Sequence, residues 1–414
     1  MINIKSRRGT DLAKRILSIN STNRGSTGRI MGQITKLARE AGYDTFMAYG
    51  RGDEPSDEKS IKIGRKVDIY WHGLVTRVTG RHGFSSKKST KIFLEKVDKI
   101  EPDLIHLHNI HGYYLNIELL FRYIKEKRIP VIWTLHDCWA FTGHCAHFDY
   151  VGCDKWKTGC YKCPQLRTYP RSLFVDHSEE SYRKKKELLE NVENMTLVTP
   201  SKWLKDLVGE SFLRHHQTIV INNGIDTNVF SPMASKKSSF GISEDKFVIL
   251  GVAAKFTSRK GLKYFLETAD KLDKDSVIFL IGLNRKQLRS LPKNIIGIER
   301  TENIERLAEA YSMADVFVNP TLEDNFPTTN IEALACGTPV ITFRTGGSPE
   351  TIDDTCGLIV DKSDTERLLN AIEIVRKKGK GEYTKNCRKR VIENFDSNGR
   401  FREYIELYKE ILSK

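Results

Sequence analysis

Asp324 and Glu332 are two carboxylates eight residues apart, flanking a segment suited to end a strand and start a helix. The run Asp315-Val-Phe-Val-Asn319 reads as a buried parallel strand, and Pro320 to Asp324 as the loop leaving it. Thr328, Thr329 and Asn330 are residue types that cap helices. The short helix predicted over Ile331–Cys336 ends at Gly337, and Pro339 opens the strand Val340–Phe343. A strand running into a helix N-terminus collects free amides and the positive helix end at the carboxyl edge of a sheet, where phosphates bind. Carboxylates on either side of that point can hold sugar hydroxyls flanking a diphosphate. Glycosidases also pair carboxylates, but there the separation in space decides the chemistry.

Upstream, Gly251-Val-Ala-Ala-Lys-Phe-Thr-Ser-Arg-Lys-Gly261 follows the predicted strand Phe247–Gly251 and precedes the helix Leu262–Ala269. It presents Lys255, Arg259 and Lys260 where charge building on a departing diphosphate needs neutralising. Gly282, after the strand Val277–Ile281, is the candidate neighbour of a nucleotide base. Gly25-Ser26-Thr27-Gly28, between the first strand (Arg15–Ile19) and the first helix, reads as a second glycine loop able to meet phosphate. His136 and Asp137 end the strand Val131–Leu135, and His106 and His108 share one side of the strand Leu104–His108. His111 follows in the loop, placed for an acceptor. No residue sits beside a base as a covalent nucleophile, and no Gly-x-Ser-x-Gly elbow occurs.

Five of the eight cysteines lie between 138 and 163. Cys160-Tyr-Lys-Cys163 has the two-residue gap of zinc ligands, and Cys145 and Cys153 complete a candidate structural zinc site. His144 and His147 are alternative ligands. A reduced thiol loop is the second reading; disulfides are the third, disfavoured in a reducing compartment. As a zinc knuckle, the segment would brace the loop after His136 and shape the acceptor mouth.

The elements that must position these groups alternate strand and helix, the pattern of an α/β chain with mostly parallel sheets covered on both faces. One series occupies residues 1–235, with a cysteine-rich insertion at 138–165. After a Ser/Lys-rich stretch at 231–239 a second fills residues 240–395, followed by a terminal helix within 396–414. The 39% apolar and 29% charged content is that of a globular protein, and 414 residues suffice for two or three cores. No run approaches the roughly 18 apolar residues of a membrane span. The basic start, Met1 to Arg8, leads into polar residues rather than an apolar signal region, so cytoplasmic residence is expected. The net charge of +14 is concentrated early, with 21 Lys and Arg against 10 Asp and Glu in residues 1–100. Such a third suits nucleic acid, anionic lipid or a phosphate-bearing acceptor. Arg77–Lys91, mixing Arg81, Lys87, Lys88 and Lys91 with His82 and Phe84, is the candidate contact with an anionic membrane surface.

The stretch from Pro320 to Val340 resembles the signature of the family 4 glycosyltransferases, usually Glu-Gly-Phe-Gly-Leu-Pro followed by Glu-Ala-Met-Ala-Cys-Gly-Thr-Pro-Val. The resemblance puts Asp324 at the first Glu, which contacts the transferred sugar, and Glu332 at the second, which binds the ribose. Asn325 and Phe326 fall in the donor loop between them. Asp replaces Glu, and Pro327 replaces a glycine, removing one amide that would face the donor. Lys260-Gly261 matches the family's phosphate-directed pair, while Lys255 stands about where an arginine is usual and keeps its charge without its fork. The resemblance further implies that Gly25–Gly28 closes over the donor diphosphate and that His136 touches the donor sugar. Asp137 then orients His136 or approaches the acceptor. The implied fold is GT-B, two facing doubly wound Rossmann-like domains with a cleft between them and a terminal helix packing back on the first, acceptor-side domain. The implied reaction retains the anomeric configuration, with His136, Asp137, Lys260 and Asp324 as the catalytic set. The leaving diphosphate takes the acceptor proton, and no metal or other cofactor is required.

Gly25–Gly28, His111-Gly-Tyr-Tyr114, Trp133–Asp137, the segment Gly143 to Pro164 and Asn223-Gly-Ile-Asp226 are similar to a narrower group, bacterial glycosyltransferases of capsular and colanic-acid-type exopolysaccharide synthesis. That similarity implies a nucleotide-sugar donor and a polyprenyl-diphosphate-linked oligosaccharide acceptor. It places the enzyme at the cytoplasmic face of the plasma membrane, held peripherally. Two rivals remain: a two-domain sugar-nucleotide epimerase, and a basic zinc-containing nucleic-acid-binding protein. The second leaves Asp324, Glu332 and Lys260 without a role, so nucleic acid is not an expected partner.

Overall fold

A computed structural model describes residues 13–54 and 59–414; the basic segment Met1 to Arg8 lies outside the described residues. Two compact units divide the chain, Met1–Ile221 with Phe401–Lys414, and Asn222–Arg400. In the first, β1 (Arg15–Thr22), α1 (Gly25–Glu40), β2 (Asp44–Arg51), β3 (Ser60–Lys62), α2 (Lys66–Thr79), α3 (Lys87–Ile100) and β4 (Leu104–Leu107) follow in turn. They continue into α4 (Ile117–Lys127), β5 (Val131–Thr134), α5 (Ser178–Leu189), β6 (Met195–Thr199), α6 (Lys202–Glu210) and β7 (Gln217–Val220). The sheet runs β3-β2-β1-β4-β5-β6-β7 with every pairing parallel. β4, β5 and β6 are buried along their whole length, as unbroken apolar strands must be when helices cover both faces. The helices present one apolar side each; α4 buries Ile117, Leu120, Phe121 and Ile124, and Asn116 caps it by accepting from Leu119 N at 3.0 Å.

The second unit carries β8 (Phe247–Val252), α7 (Leu262–Ala269), β9 (Ser276–Ile281), α8 (Arg285–Leu288), β10 (Ile295–Ile298) and α9 (Ile304–Met313). It continues through β11 (Val316–Asn319), α10 (Thr328–Ala335), β12 (Val340–Phe343), β13 (Gly357–Val360), α11 (Thr365–Lys378) and α12 (Gly381–Asn394). Its parallel sheet is ordered β10-β9-β8-β11-β12-β13. In both sheets the strand order turns back at the first strand of the unit, between β1 and β4 and between β8 and β11. Loops leave that point in opposite directions and open a crevice at the strands' carboxyl ends, where ligands bind in such sheets.

The division falls at Ile221, not in the Ser/Lys-rich stretch at 231–239. Residues 222–235 belong with the second unit because Phe230 is buried in its core and Arg388 donates to the carbonyls of Thr227 and Phe230 at 2.7 and 2.6 Å. The last helix, α13 (Ser397–Leu412), starts in the second unit and groups with the first from Phe401 onward. There Tyr408 and Tyr404 reach β4 and β5: Tyr408 Oη lies 2.7 Å from His106 Nδ1, and the Thr134 hydroxyl is 3.2 Å from Tyr404 Oη.

Two local expectations change. Thr328, Thr329 and Asn330 do not cap a helix; they are its first turn, behind Pro327. Asn330 instead accepts from Asn319 Nδ2 at 2.8 Å and donates to Thr351 Oγ1 at 2.9 Å, tying the helix to β11. Gly25–Gly28 is likewise the first turn of α1 rather than a loop. A side chain at Gly28 would strike the backbone of Asn23, so the glycine lets the loop after β1 fold onto the helix.

Candidate active site

In the second unit the loops after β8 and β11 meet at the switch point. Lys260 Nζ is ion-paired with Asp324 Oδ2, both side chains mostly covered. The loops are also joined by backbone, Leu322 N donating to Arg259 O at 2.8 Å, and Arg259 Nη1 donates to Glu323 O at 3.2 Å. This closeness requires Gly261: it has φ +74°, and a Cβ there would collide with the Pro320 carbonyl. Gly346 is needed in the same way beneath Asp324, whose carbonyl a Cβ at 346 would strike. Gly347 N then holds Asn325 O at 3.0 Å. The loop bearing Asp324 is thus supported from both sides.

The N-termini of α7 and α10 follow directly on these two loops, giving free amides and positive helix ends beside the Lys260–Asp324 pair. Arg259 is partly buried, and Lys255 is exposed on the loop after β8. Gly282 follows β9, its amide donating to Ile298 O at 3.1 Å. Glu332 lies on α10, 5% exposed, with Oε2 accepting from the buried Tyr311 hydroxyl at 3.0 Å. The carboxylate is thereby fixed in direction. Phe326 turns inward against Phe395, ring centroids 5.6 Å apart, and carries the loop from beneath.

In the first unit the switch point is held by neutral groups. Asn20, at the end of β1, accepts from Asn109 N at 3.2 Å and from Ser21 N at 2.8 Å, and donates to Thr27 Oγ1 at 3.3 Å. Thr27 is thus tied down, while Gly25 and Ser26 are exposed and Gly28 is buried. His136, following β5, pairs through Nε2 with His108 Nδ1 at 3.0 Å, and the rings stack. Burial lowers the His136 pKa to about 4, against the opposing pull of Asp137, so the ring is neutral near pH 7. His108 in turn lies on His106, ring centroids 4.3 Å apart. His106, with Thr134 and Tyr408 as partners, is structural.

Asp137, His111 and Tyr169 form a chain. His111 Nε2 lies 2.8 Å from Asp137 Oδ2, and its Nδ1 lies 2.8 Å from the Tyr169 hydroxyl. Burial raises the Asp137 carboxyl, but the charge and hydrogen bond of His111 outweigh it and hold the group well below the usual carboxylate range. With Asp137 ionised and able only to accept, His111 donates to it from Nε2, while Nδ1 faces the Tyr169 hydroxyl. The tyrosine oxygen keeps lone pairs for a hydroxyl donor, and its residue is 46% exposed. Asp137 also accepts from Trp139 N at 2.9 Å, shaping the turn after His136. Beneath that turn the buried Lys185 donates to Trp139 O at 2.6 Å and lies 3.8 Å from the Trp139 ring centre. Burial lowers the Lys185 pKa to about 7.

Tyr169 and Lys185 carry no motif of their own; their roles arise from contacts to residues 58 and 46 positions away. Among the described residues no group of three or more His, Cys, Asp or Glu is arranged to hold a metal ion. All eight cysteines are free thiols. The Cys145 thiol donates to Cys163, Cys160 Sγ accepts from Gly143 N at 3.1 Å, and Cys163 N donates to Asp176 at 2.7 Å. Phe148 stacks on Trp156, centroids 4.8 Å apart, so the segment is organised by apolar packing. Among the described residues no helix is long and apolar enough to cross a membrane.

Comparison with known proteins bears on both units. Residues 27–229 match the family model described as Glycosyltransferase Family 4, and residues 246–377 the one described as Glycosyl transferases group 1. A chain of Escherichia coli K12 named as the colanic acid biosynthesis glycosyl transferase WcaC is 25% identical over 281 residues, 65% of this chain and 66% of that one. An Escherichia coli UDP-Gal:alpha-D-GlcNAc-diphosphoundecaprenol alpha-1,3-galactosyltransferase is 25% identical over 213 residues, 47% of this chain and 54% of that one. The matches span less than two-thirds of either relative's own length. Among solved structures, sucrose-phosphate synthase of Thermosynechococcus elongatus superposes with a TM-score of 0.74 at 20% identity, covering 97% of this chain and 99% of that one. That likeness shows the fold, two parallel-sheet α/β domains of the GT-B kind.

Proposed function

The chain belongs to glycosyltransferase family 4, and on that premise we propose that it moves a sugar from a nucleotide-sugar donor to a polyprenyl-diphosphate-linked oligosaccharide. The product is an extended exopolysaccharide precursor, of capsular or colanic-acid type, and anomeric configuration is retained. One observation carries the reading: Lys260 and Asp324 meet at the switch point of the second unit, beside two helix N-termini. A cation and free amides suit a diphosphate, and a carboxylate beside them suits the hydroxyls of the sugar it bears.

The donor diphosphate takes over Lys260, with Arg259 and Lys255 adding charge. Asp324 turns to the transferred sugar and Glu332 to the ribose, while Gly282 lies by the base. The neutral His136 is suited to hydrogen-bond a sugar hydroxyl. The His111–Tyr169 pair is suited to meet an acceptor hydroxyl, and the acceptor hydroxyl attacks the anomeric carbon from the face the diphosphate leaves. The new C–O bond forms as the old one breaks, and the acceptor proton passes to the leaving diphosphate oxygen. Charge on that leaving group is neutralised by the chain's own cations and amides. A lipid-linked acceptor sets the reaction at the cytoplasmic face of a membrane. The printed substrate of the galactosyltransferase relative, a diphosphoundecaprenol-linked sugar, supports this acceptor class.

Thermal unfolding with UDP-, GDP-, ADP- and dTDP-sugars tests the reading. One base class should raise the melting temperature of the wild type and not of Lys260→Ala. A shift of the same size in the variant would remove the donor site from this position. Transfer assays with synthetic polyprenyl-diphosphate sugars then test the acceptor; donor hydrolysis or epimerisation without transfer would favour the epimerase reading.

A further inference from the structure

α2 is turned the wrong way round for a helix lying on a sheet. Its buried residues are His72, Gly73 and Thr76, small or polar, and Ile69 is partly buried against the core, whereas Val67, Tyr70, Trp71, Leu74 and Val78 face outward. Val67 is 68% exposed, Tyr70 76% and Trp71 64%, with Leu74 and Val78 beyond them. Positions 67, 70, 71, 74 and 78 follow helical spacing and make one unbroken stripe. The stripe continues onto the loop holding Phe174, itself 76% exposed. Leu173 N donates to Arg77 O at 2.8 Å, and Ser172 Oγ donates to Val175 O at 2.6 Å, so this loop is fixed along the end of α2.

Cations rim the stripe. Arg65, Lys66, Arg77 and Arg81 are exposed around α2, and Lys87, Lys88 and Lys91 begin α3. Between residues 65 and 92 the sole acidic residue is Asp68, which accepts from Arg65 N at 2.7 Å. The run Arg77–Lys91 contributes only this charge, because His82 is buried and Phe84 is half-buried against the core. The apolar component comes from α2 instead.

We propose that this face docks the protein on an anionic lipid bilayer. Tyr70, Trp71 and Phe174 enter the boundary between headgroups and acyl chains, and the rim lysines and arginines meet lipid phosphates. A bilayer surface offers an apolar layer beneath a plane of negative charge, the complement of this stripe and rim. Tyr and Trp are the side chains favoured at that depth. Nucleic acid would leave the aliphatic stripe in water. The proposal deepens the reading above and rests on it for its purpose: the face would bring the first unit to the leaflet that holds a lipid-linked acceptor.

Co-sedimentation of the full chain with vesicles tests it, using phosphatidylcholine alone or with about one-third phosphatidylglycerol. The wild type should pellet with the anionic vesicles and stay in solution with the neutral ones. Trp71→Ser with Phe174→Ser, and separately Lys87→Glu with Lys88→Glu, should each lower the partition by about tenfold or more. Both pairs are solvent-facing, and an unchanged nucleotide-sugar thermal shift verifies that the variants are folded. Equal partition of wild type and variants, or no preference for anionic vesicles, overturns the proposal. So does a wild-type dimer in light scattering that the Trp71 variant abolishes, since the face would then meet a second copy. Vesicle binding without any donor-induced shift would sink the functional reading and leave the docking face standing. Transfer to a soluble acceptor without vesicle binding would do the reverse.

Discussion

At the switch point of the first unit, Asn20 near the end of β1 holds Asn109 in the loop after β4; at that of the second, Lys260 and Asp324 join the loops after β8 and β11. The strand order turns back in the same way in both sheets, yet one crevice is bridged by neutral amides and the other by a charge pair. The surroundings differ too. All eleven histidines lie at or before residue 216, in the first unit, and the second has none. On the proposed reading, imidazoles and phenols suit sugar hydroxyls through hydrogen bonds, whereas cations and helix ends suit a highly charged diphosphate. The strand order supplies a place, and the loop residues decide what it can hold.

Removing the charge pair should have the largest effect. Lys260→Ala should lower kcat/KM for transfer by about 10²–10³-fold, the usual size for a lost donor at developing negative charge. A loss confined to a few-fold would break the contrast between the crevices. Acid should then separate the units. His72 and His106 have pKa values lowered to about 3, by burial above all, whereas an unfolded histidine titrates near about 6.5. Between those values the unfolded chain takes up protons and the folded unit does not. Stability is therefore complete above about pH 6.5 and falls as the pH drops towards 3, by about 2 kcal/mol for each of these histidines at pH 5. Hydrogen-exchange protection should fall in β4 and β5 before β8 and β11; equal loss in both sheets would contradict the assignment.

Gly261→Ala should destabilise the second unit by about 2 kcal/mol, through a positive φ and the collision with Pro320. Protection in β8 and β11 should drop while that in β4 and β5 holds. The smallest expected change is in Tyr169→Phe, which removes one hydrogen bond to His111. It should reduce acceptor kcat/KM by a few-fold to about tenfold, with donor binding intact. A matching loss in donor affinity would place Tyr169 on the donor side instead.

What could be read from sequence was what lies within one strand, loop and helix. Asp324 with Glu332, and the cations between β8 and α7, are such stretches; their chemistry shows in residue type and spacing. That Lys260 pairs with Asp324 does not show, because the partners are 64 residues apart and only the sheet brings them together. Tyr169 and Lys185 were invisible for the same reason. Glycines are poor helix formers, so Gly25–Gly28 reads as a loop, and packing of Asn23 against Gly28 reverses that preference. β3, β7, β10 and β13 are three or four residues long at or near sheet edges, too short for a period to declare itself. In the cysteine segment the spacing shows the ligand types, but not that Cys160 Sγ accepts from Gly143 N or that Phe148 stacks on Trp156.

The helix α13 bears on how the chain is made. Tyr404 and Tyr408 are buried beneath β4 and β5, and His106 takes one of its two ring partners from Tyr408, 302 residues downstream. While the chain is on the ribosome, residues 222–400 emerge as one compact unit, but the sheet begun at Arg15 lacks part of its underside until residue 408 has been translated. The unit synthesised first is therefore the one finished last. A message truncated before the codon for Tyr404 would leave the first unit with an open seam below His106, a ready substrate for the cell's proteases.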